Sequence, residues 1–147
     1  MERVLVICIG NSCRSQMAQG ILQSFDKNLD VHSAGTKANG RLNANAVRVL
    51  LEDGIDISNH VSKSVDRYLN GSWDHVLVLC EVANAQCPAF TGNVKNLQVM
   101  PFDDPAHAKG DEAFVDSEFR RVRDEMKQLL HDFYKKFIIN DLPNRLK

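Results

Sequence analysis

Two short runs of β-branched and aliphatic residues, RVLVIC at 3–8 and HVLVLC at 75–80, each end in a cysteine. Neither run alternates polar with apolar. A strand that is apolar on both sides must be covered on both sides, which is the situation of an interior strand in a parallel sheet clad with helices. The rest of the chain agrees. VHSAG at 31–35 reads as a further strand ended by Gly35, and KNLQVMPF at 95–102 as another, stopped by Pro101. Between them lie helical patterns: 13–25 with Met17, Ile21 and Phe25 in phase, 43–54 with Asn43 as cap and Gly54 beyond its end, and a shorter one at 64–71. A long last helix is predicted at about 113–138, burying Val115, Phe119, Val122, Met126, Leu129, Phe133 and Phe137. Trp73 is expected to anchor packing ahead of strand 75–80. Alternating strands and helices make an α/β fold. In such sheets ligands bind beyond the carboxyl ends of the strands, where both Cys8 and Cys80 are expected.

The 147 residues suit one domain spanning 1–147, with an apolar fraction of 44% and a charged fraction of 25%. Net charge is −1. Arg120, Arg121, Arg123 and Lys127 are interleaved with Asp124, Glu125 and Asp132, a solvated helix face rather than a nucleic-acid footprint. No stretch approaches the ~20 apolar residues that span a bilayer, and VLVICI is too short for a secretory signal. A cytoplasmic monomer is expected, with Cys8, Cys13, Cys80 and Cys87 held as thiols and any disulfide transient and catalytic.

Residues 8–15 read C-I-G-N-S-C-R-S. Between a strand and a helix, a loop of this length can curl so that the N–H groups of Ile9, Gly10, Asn11, Ser12, Cys13 and Arg14 surround a tetrahedral oxyanion at the positive end of the helix. Arg14 closes such a nest with a forked guanidinium. Gly10 is expected to supply backbone freedom, and Asn11 to tolerate left-handed geometry. The same field favours a thiolate at Cys8, since cysteines at helix N-termini beside cations titrate at roughly 3.5–7.5. Ser15 is placed to donate a hydrogen bond to it.

This segment resembles the phosphate loop of the low-molecular-weight tyrosine phosphatases and of the arsenate reductases that share their fold. The likeness extends through SAG at 33–35, DISNH at 56–60, DDPAHAKG at 103–110 and RVRDE at 121–125. It implies a single-domain, three-layer fold with a four-stranded parallel sheet in the order 2-1-3-4. In that family an aspartate of an Asp-Pro pair is the general acid, which in FDDP points to Asp104, with Asp103 second. Asp-Pro also favours turns on its own account.

Phosphatase and reductase differ in their need for electrons. A phosphatase requires one cysteine, whose phosphocysteine is cleared by water. Reducing arsenate takes two electrons, which thiols supply by ending as a disulfide. If strand 75–80 lies beside strand 3–8, neighbouring strands stand ~4.8 Å apart, within the Cα separation of about 4.4–6.8 Å that a disulfide tolerates. Cys80 is then expected to reach Cys8 with modest loop movement. Were 80–87 helical, Cys80 and Cys87 would lie roughly 10 Å apart and that segment would have to unwind before they could bond. The resemblance implies the same trio: thioredoxin-coupled arsenate reductases carry two cysteines at this spacing after this strand. It implies a relay in which Cys8 forms a thiol–arsenate adduct, Cys80 expels arsenite, and Cys87 carries the disulfide outward to thioredoxin as external reductant, with no bound cofactor. Beyond Asp104 stand Ala106, His107, Ala108 and Lys109, where the phosphatases place aromatic walls for a phenol. That favours a small oxyanion. The second reading is a phosphatase acting through a Cys8 phosphocysteine, and reductase with weak phosphatase activity is a natural combination because the two oxyanions share shape and charge.

Three points depart from the pattern. Cys13 is outside the relay and is expected to pack behind the loop, the second reading being a protective disulfide with Cys8 under oxidation, as the resemblance to the phosphatases implies. Potassium sites of some relatives match Asn11, Ser33, Gln19 and Lys63 here, so both of the carboxylates are missing, and the Lys63 ammonium is expected to stand where the cation would. Met100 and Pro101 replace a Trp-Gly pair ahead of Asp104. Neither the cysteine spacings nor His32, His60, His75, His107 and His131 make a zinc-ligand pattern, so no metal is expected and the histidines read as structural or surface residues.

Overall fold

The computed structural model describes residues 2–139. Four strands, β1 (Arg3–Cys8), β2 (Asp30–Gly35), β3 (Trp73–Val78) and β4 (Val94–Val99), form one sheet in the order β2-β1-β3-β4. All three pairings are parallel, with Cys8 opposite Gly35 and Ile7 opposite Val78. Among the described residues there are four α-helices: α1 (Arg14–Phe25), α2 (Ala44–Leu51), α3 (Glu81–Gln86) and α4 (Glu112–Phe133), the last running on as π-helical turns over Tyr134–Ile139. The fold class and strand order are those expected.

β1 and β3 occupy the interior because their side chains are apolar on both faces. Val4 and Val6 point with Leu77 and Leu79 into the larger core, against α1 and α4. Leu5 and Ile7 point with Val76 and Val78 into a smaller core on the other face, which also holds Trp73, Cys80 and Ala83. β4 alternates half-buried with exposed residues, as an edge strand should.

Several boundaries differ from the sequence reading. β3 begins and ends two residues early, because Trp73 is its first residue rather than a prop ahead of it: Trp73 N donates to Asn93 O at 2.8 Å. The predicted helix at 64–71 is a single 3₁₀ turn over Val65–Tyr68. α2 starts as expected, capped by Asn43 through a 3.1 Å bond from Ala46 N, but ends at Leu51, with Gly54 taking positive φ in the turn that follows. On α4 the buried stripe is Phe119, Val122, Met126, Leu130 and Phe133. Leu129, read as core, is 45% exposed, since steps of four from Val122 through Met126 lead to Leu130. Among the described residues no helix is long and apolar enough to cross a membrane.

α2 and α4 are tied by charge. Buried Arg123 contacts Glu52, Asp53 and Asp124 at 2.8–3.2 Å and donates to Val49 O, while Arg120 donates twice to Glu52. Hydrogen bonds from Arg120 and then Arg123 pull the Glu52 carboxyl down from 4.5 to about 2. A depressed carboxyl contributes stability that is complete above its unfolded pKa and lost as pH falls through the folded one. Glu52→Gln should therefore melt below wild type at pH 7, and the gap should close between pH 4.5 and about 2. Thermal melts recorded across that range check it.

Candidate active site

The loop from β1 to α1 is held from outside, carbonyl by carbonyl. Thr36 N donates to Cys8 O at 3.0 Å, Lys37 N to Ile9 O at 2.9 Å, Asn39 N to Gly10 O at 3.0 Å and Asn43 N to Ser12 O at 2.8 Å. Gln16 Nε2 donates to Asn11 O at 3.1 Å, and Met17 N to Cys13 O at 2.9 Å. Each carbonyl from 8 to 13 is thereby drawn outward. A trans peptide sets C=O and the following N–H in opposite directions, so the N–H groups of residues 9–14 turn inward. They face a cavity of about 250 Å³ lined by Cys8, Ile9, Gly10, Ser12, Cys13 and Arg14, and across from these by Asn39, Asp104, Ala106 and His107. α1 has no side-chain cap, whereas Asn43, Cys80 and Asp111 cap the other three helices. Its first amides are left for an anion.

The segment that supplies these donors lies very close to the loop. A Cβ at Gly35 would run into the Ile9 carbonyl oxygen and the Asn11 nitrogen, so only glycine fits. Within the loop the left-handed residue is Asn11, at φ +50°. Gly10 is not left-handed; it leaves room for Asn39, whose Nδ2 would stand 3.1 Å from an added Cβ.

Behind the loop, hydrogen-bond directions are forced from their ends. The backbone N–H of Lys63 can only donate, and it donates to Asn11 Oδ1 at 2.8 Å. Asn11 Nδ2 therefore faces two hydroxyls, Ser15 Oγ at 2.7 Å and Ser33 Oγ at 3.0 Å. Accepting from Asn11 leaves the Ser15 hydrogen free to turn to Cys8 Sγ, 2.8 Å away. A thiolate can only accept, so with Cys8 deprotonated Ser15 is the donor of that contact. On the other branch Ser33 donates to Gln19 Oε1 at 2.6 Å, and Gln19 Nε2 ends on Val31 O.

This chain does not fit a potassium ion. Asn11 presents its Nδ2 hydrogens to Ser15 and Ser33, and Gln19 spends its oxygen on the Ser33 hydroxyl. The expectation that the Lys63 ammonium stands in the cation's place is corrected: Lys63 Nζ donates to Val61 O at 2.6 Å, and the Gln19 amide closes the Asn11–Ser33 chain instead.

Arg14 is buried at the cavity edge, donating to Phe102 O at 3.1 Å and standing 3.6 Å from Asp104 Oδ2. The stretch with Met100 and Pro101 is pinned to β3 through Met100 N to Val78 O at 2.8 Å and Phe102 N to Leu79 O at 3.0 Å, which brings Asp104 to the cavity. Asp104 both caps its turn, Oδ1 accepting from Ala106 N at 3.0 Å, and offers Oδ2 to Arg14 and to His107 at 3.5 Å. Asp103 points away to Arg121 on α4, at 3.2 Å. Cys13 packs on Met17, its sulfur 3.9 Å from Sδ. Burial first, then the nearby Asp104 and Cys8, push its thiol far up, so it stays protonated.

The two later cysteines sit otherwise than the sequence suggested. Cys80 is the N-cap of α3, accepting from Ala83 N at 3.4 Å, and Cys87 is its C-cap. The register puts Leu79, not Cys80, beside Cys8. Cys8 turns toward Ser15 on α1, while Cys80 follows Val76 and Val78 into the smaller core on the opposite face. The two sulfurs therefore start on opposite faces of the sheet, Cys80 at the cap of α3. Cys80 and Cys87, seven residues apart across a helix, are separated by roughly 10 Å at 1.5 Å per residue, too far for a disulfide. α3 is lightly held: of its six side chains only Ala83 is buried. Thr36 Oγ1 donates to Gln86 Oε1 at 3.1 Å across its exposed side. Burial, and secondarily Asp66, push the Cys87 thiol up. Among the described residues no group of three His, Cys, Asp or Glu is placed to hold a metal ion.

The sequence reading missed Gln16, Asn39 and the run of donors at 36–43. Only the strand-ending glycine and the turn-rich TKANG at 36–40 hinted at a segment packed against the loop. Asn11 is the joint of the whole arrangement: Asn11→Ala strands the Lys63 amide, Gln16 and two hydroxyls, and should cost about 2–4 kcal/mol in urea unfolding.

The comparisons agree with this geometry. The model of the family described as low molecular weight phosphotyrosine protein phosphatase matches residues 3–141. An arsenate reductase of Bacillus subtilis (strain 168) is 43% identical over 136 residues, covering 90% of this chain and 96% of that protein. Among solved structures, an arsenate reductase in the phosphate binding state superposes with a TM-score of 0.77 at 26% identity, covering 93% of this chain and 99% of that one. A low molecular weight protein tyrosine phosphatase from T. tengcongensis gives 0.74 at 28%, with coverage of 92% and 99%. The chain belongs to the low molecular weight phosphotyrosine protein phosphatase family.

Proposed function

We propose that this protein reduces arsenate to arsenite, with Cys8 as nucleophile and Cys80 and Cys87 as the source of electrons. The observation that carries the reading is the pair of free thiols capping the two ends of α3, a helix with one buried side chain, in a protein whose oxyanion cavity is lined by a third cysteine, Cys8. A phosphatase has no use for that pair. The arsenate reductases of Bacillus subtilis and Staphylococcus aureus, at 43% and 41% identity, support the same choice.

The inward N–H groups and Arg14 bind the oxyanion, and the Cys8 thiolate attacks arsenic. One oxygen departs as water, protonated with the help of Asp104. The Cys80 thiolate then attacks Cys8 Sγ. A Cys8–Cys80 bond forms, the sulfur–arsenic bond breaks with its electron pair left on arsenic, and arsenic(V) departs as arsenic(III). The Cys87 thiolate attacks Cys80 Sγ, freeing Cys8 and leaving a Cys80–Cys87 disulfide. Both disulfide steps require α3 to unwind, which its sparse burial makes inexpensive. A thioredoxin dithiol returns the pair to thiols, as expected of a monomer working in the reducing cytoplasm. The cavity rim supports a small substrate: among the described residues Asn39, Ala106 and His107 face it, and His107 is the one ring there to meet a phenol.

The test pairs two assays. Arsenite production is followed with thioredoxin, thioredoxin reductase and NADPH, beside hydrolysis of an aryl phosphate. Cys80→Ser should lower reduction on the order of a thousandfold while leaving aryl phosphate hydrolysis within about threefold; Asp104→Asn should lower hydrolysis on the order of a hundredfold. No reduction by the wild-type protein, or equal loss of both activities in Cys80→Ser, favours the phosphatase reading instead.

A further inference from the structure

A second branch of polar contacts reaches the nucleophile from the surface side. Gln16, wholly buried on α1, donates through Nε2 toward Asn11 O, Asn11 Oδ1 and Val61 O, each at 3.1 Å. Three oxygens around one nitrogen fix which end of the amide is which. Gln16 Oε1 must then point the other way, and there it meets His60 Nδ1 at 3.0 Å. An amide oxygen only accepts, so His60 carries its hydrogen on Nδ1. The half-buried ring is kept mostly neutral, its pKa pushed below the ordinary histidine value by burial and then by Lys63, against a smaller opposite pull from Asp56.

We infer that His60 is a positioning residue for the nucleophile, acting through Gln16, Asn11 and Ser15 on Cys8. Each link is a donor facing an acceptor: His60 Nδ1 to Gln16, Gln16 to Asn11, Asn11 to Ser15, Ser15 to Cys8 Sγ. Without a donor at Nδ1, Gln16 Oε1 loses the contact that steadies its amide, and the hold of Gln16 Nε2 on Asn11 Oδ1 slackens. Asn11 Oδ1 then keeps Lys63 N as its one firm donor, and the Asn11 Nδ2 contact that orients the Ser15 hydroxyl loosens with it. The hydroxyl that favours a thiolate at Cys8 is oriented from a histidine four residues along the chain of contacts, not by anything in the cavity. His60 touches no substrate; its effect is on how readily Cys8 gives up its proton.

The inference rests on Cys8 being the nucleophile, and the experiment separates the two claims. The pH dependence of iodoacetamide alkylation is measured, with the modified residue identified by mass spectrometry, for the wild type, Cys8→Ser, His60→Phe, His60→Ala and His60→Asn. Phenylalanine keeps the ring without a donor, and asparagine restores an N–H near Nδ1 without the ring. Thermal melts confirm that each variant is folded, and alanine carries the test if phenylalanine does not fold. In the donor-free variants the midpoint for Cys8 should rise by about one pH unit, a rate about tenfold lower at pH below both midpoints, and asparagine should recover most of the shift. Unchanged midpoints in folded donor-free variants overturn the inference while leaving Cys8 as nucleophile. An asparagine variant as impaired as the donor-free ones overturns it too, because ring packing would then be the cause. Alkylation in the wild type that avoids Cys8 sinks the nucleophile reading and this inference with it.

Discussion

Everything at this site depends on where six carbonyl groups point. A loop that offers its amides to an anion must dispose of the oxygens on the same peptides, and each buried oxygen without a donor would be costly. Here the run from Thr36 to Asn43 takes four of them, with Gln16 and the first turn of α1 taking the other two. Anion binding is thus prepared before any anion arrives. What the substrate finds is a set of donors already aimed, whose orientation was settled when β2 and the segment after it docked beside the loop.

That arrangement was only partly legible. The loop itself could be read, because strand, cysteine, turn residues, arginine and helix follow one another within a dozen positions. The family's Asp-Pro pair points to Asp104 rather than Asp103, and the structure sets Asp104 on the cavity while Asp103 faces Arg121. The sheet order followed from the resemblance and the interior character of β1 and β3.

Long-range features escaped. The donors at 36–43 act through backbone N–H groups, which carry no residue-type signature, and Gln16 is one polar letter in a helix buried on nearly every side. The face on which Cys80 lies turned on the register, which sets Leu79 rather than Cys80 beside Cys8: neighbouring strands bring backbones together, but pleating decides which side chains meet. Leu129 and Leu130 differ by one position and by a third of a helical turn, a distinction that a count of apolar residues at steps of three and four does not resolve.

Thr36 stands where two functions touch. Its amide supports the carbonyl of Cys8, and its hydroxyl holds Gln86 in the last turn of α3. The helix that carries a thiol at each end is therefore tied, through one exposed side-chain bond, to the segment that supports the anion loop. Linkage of this sort runs in both directions: under the proposed relay, an ordered cradle and an ordered α3 favour one another.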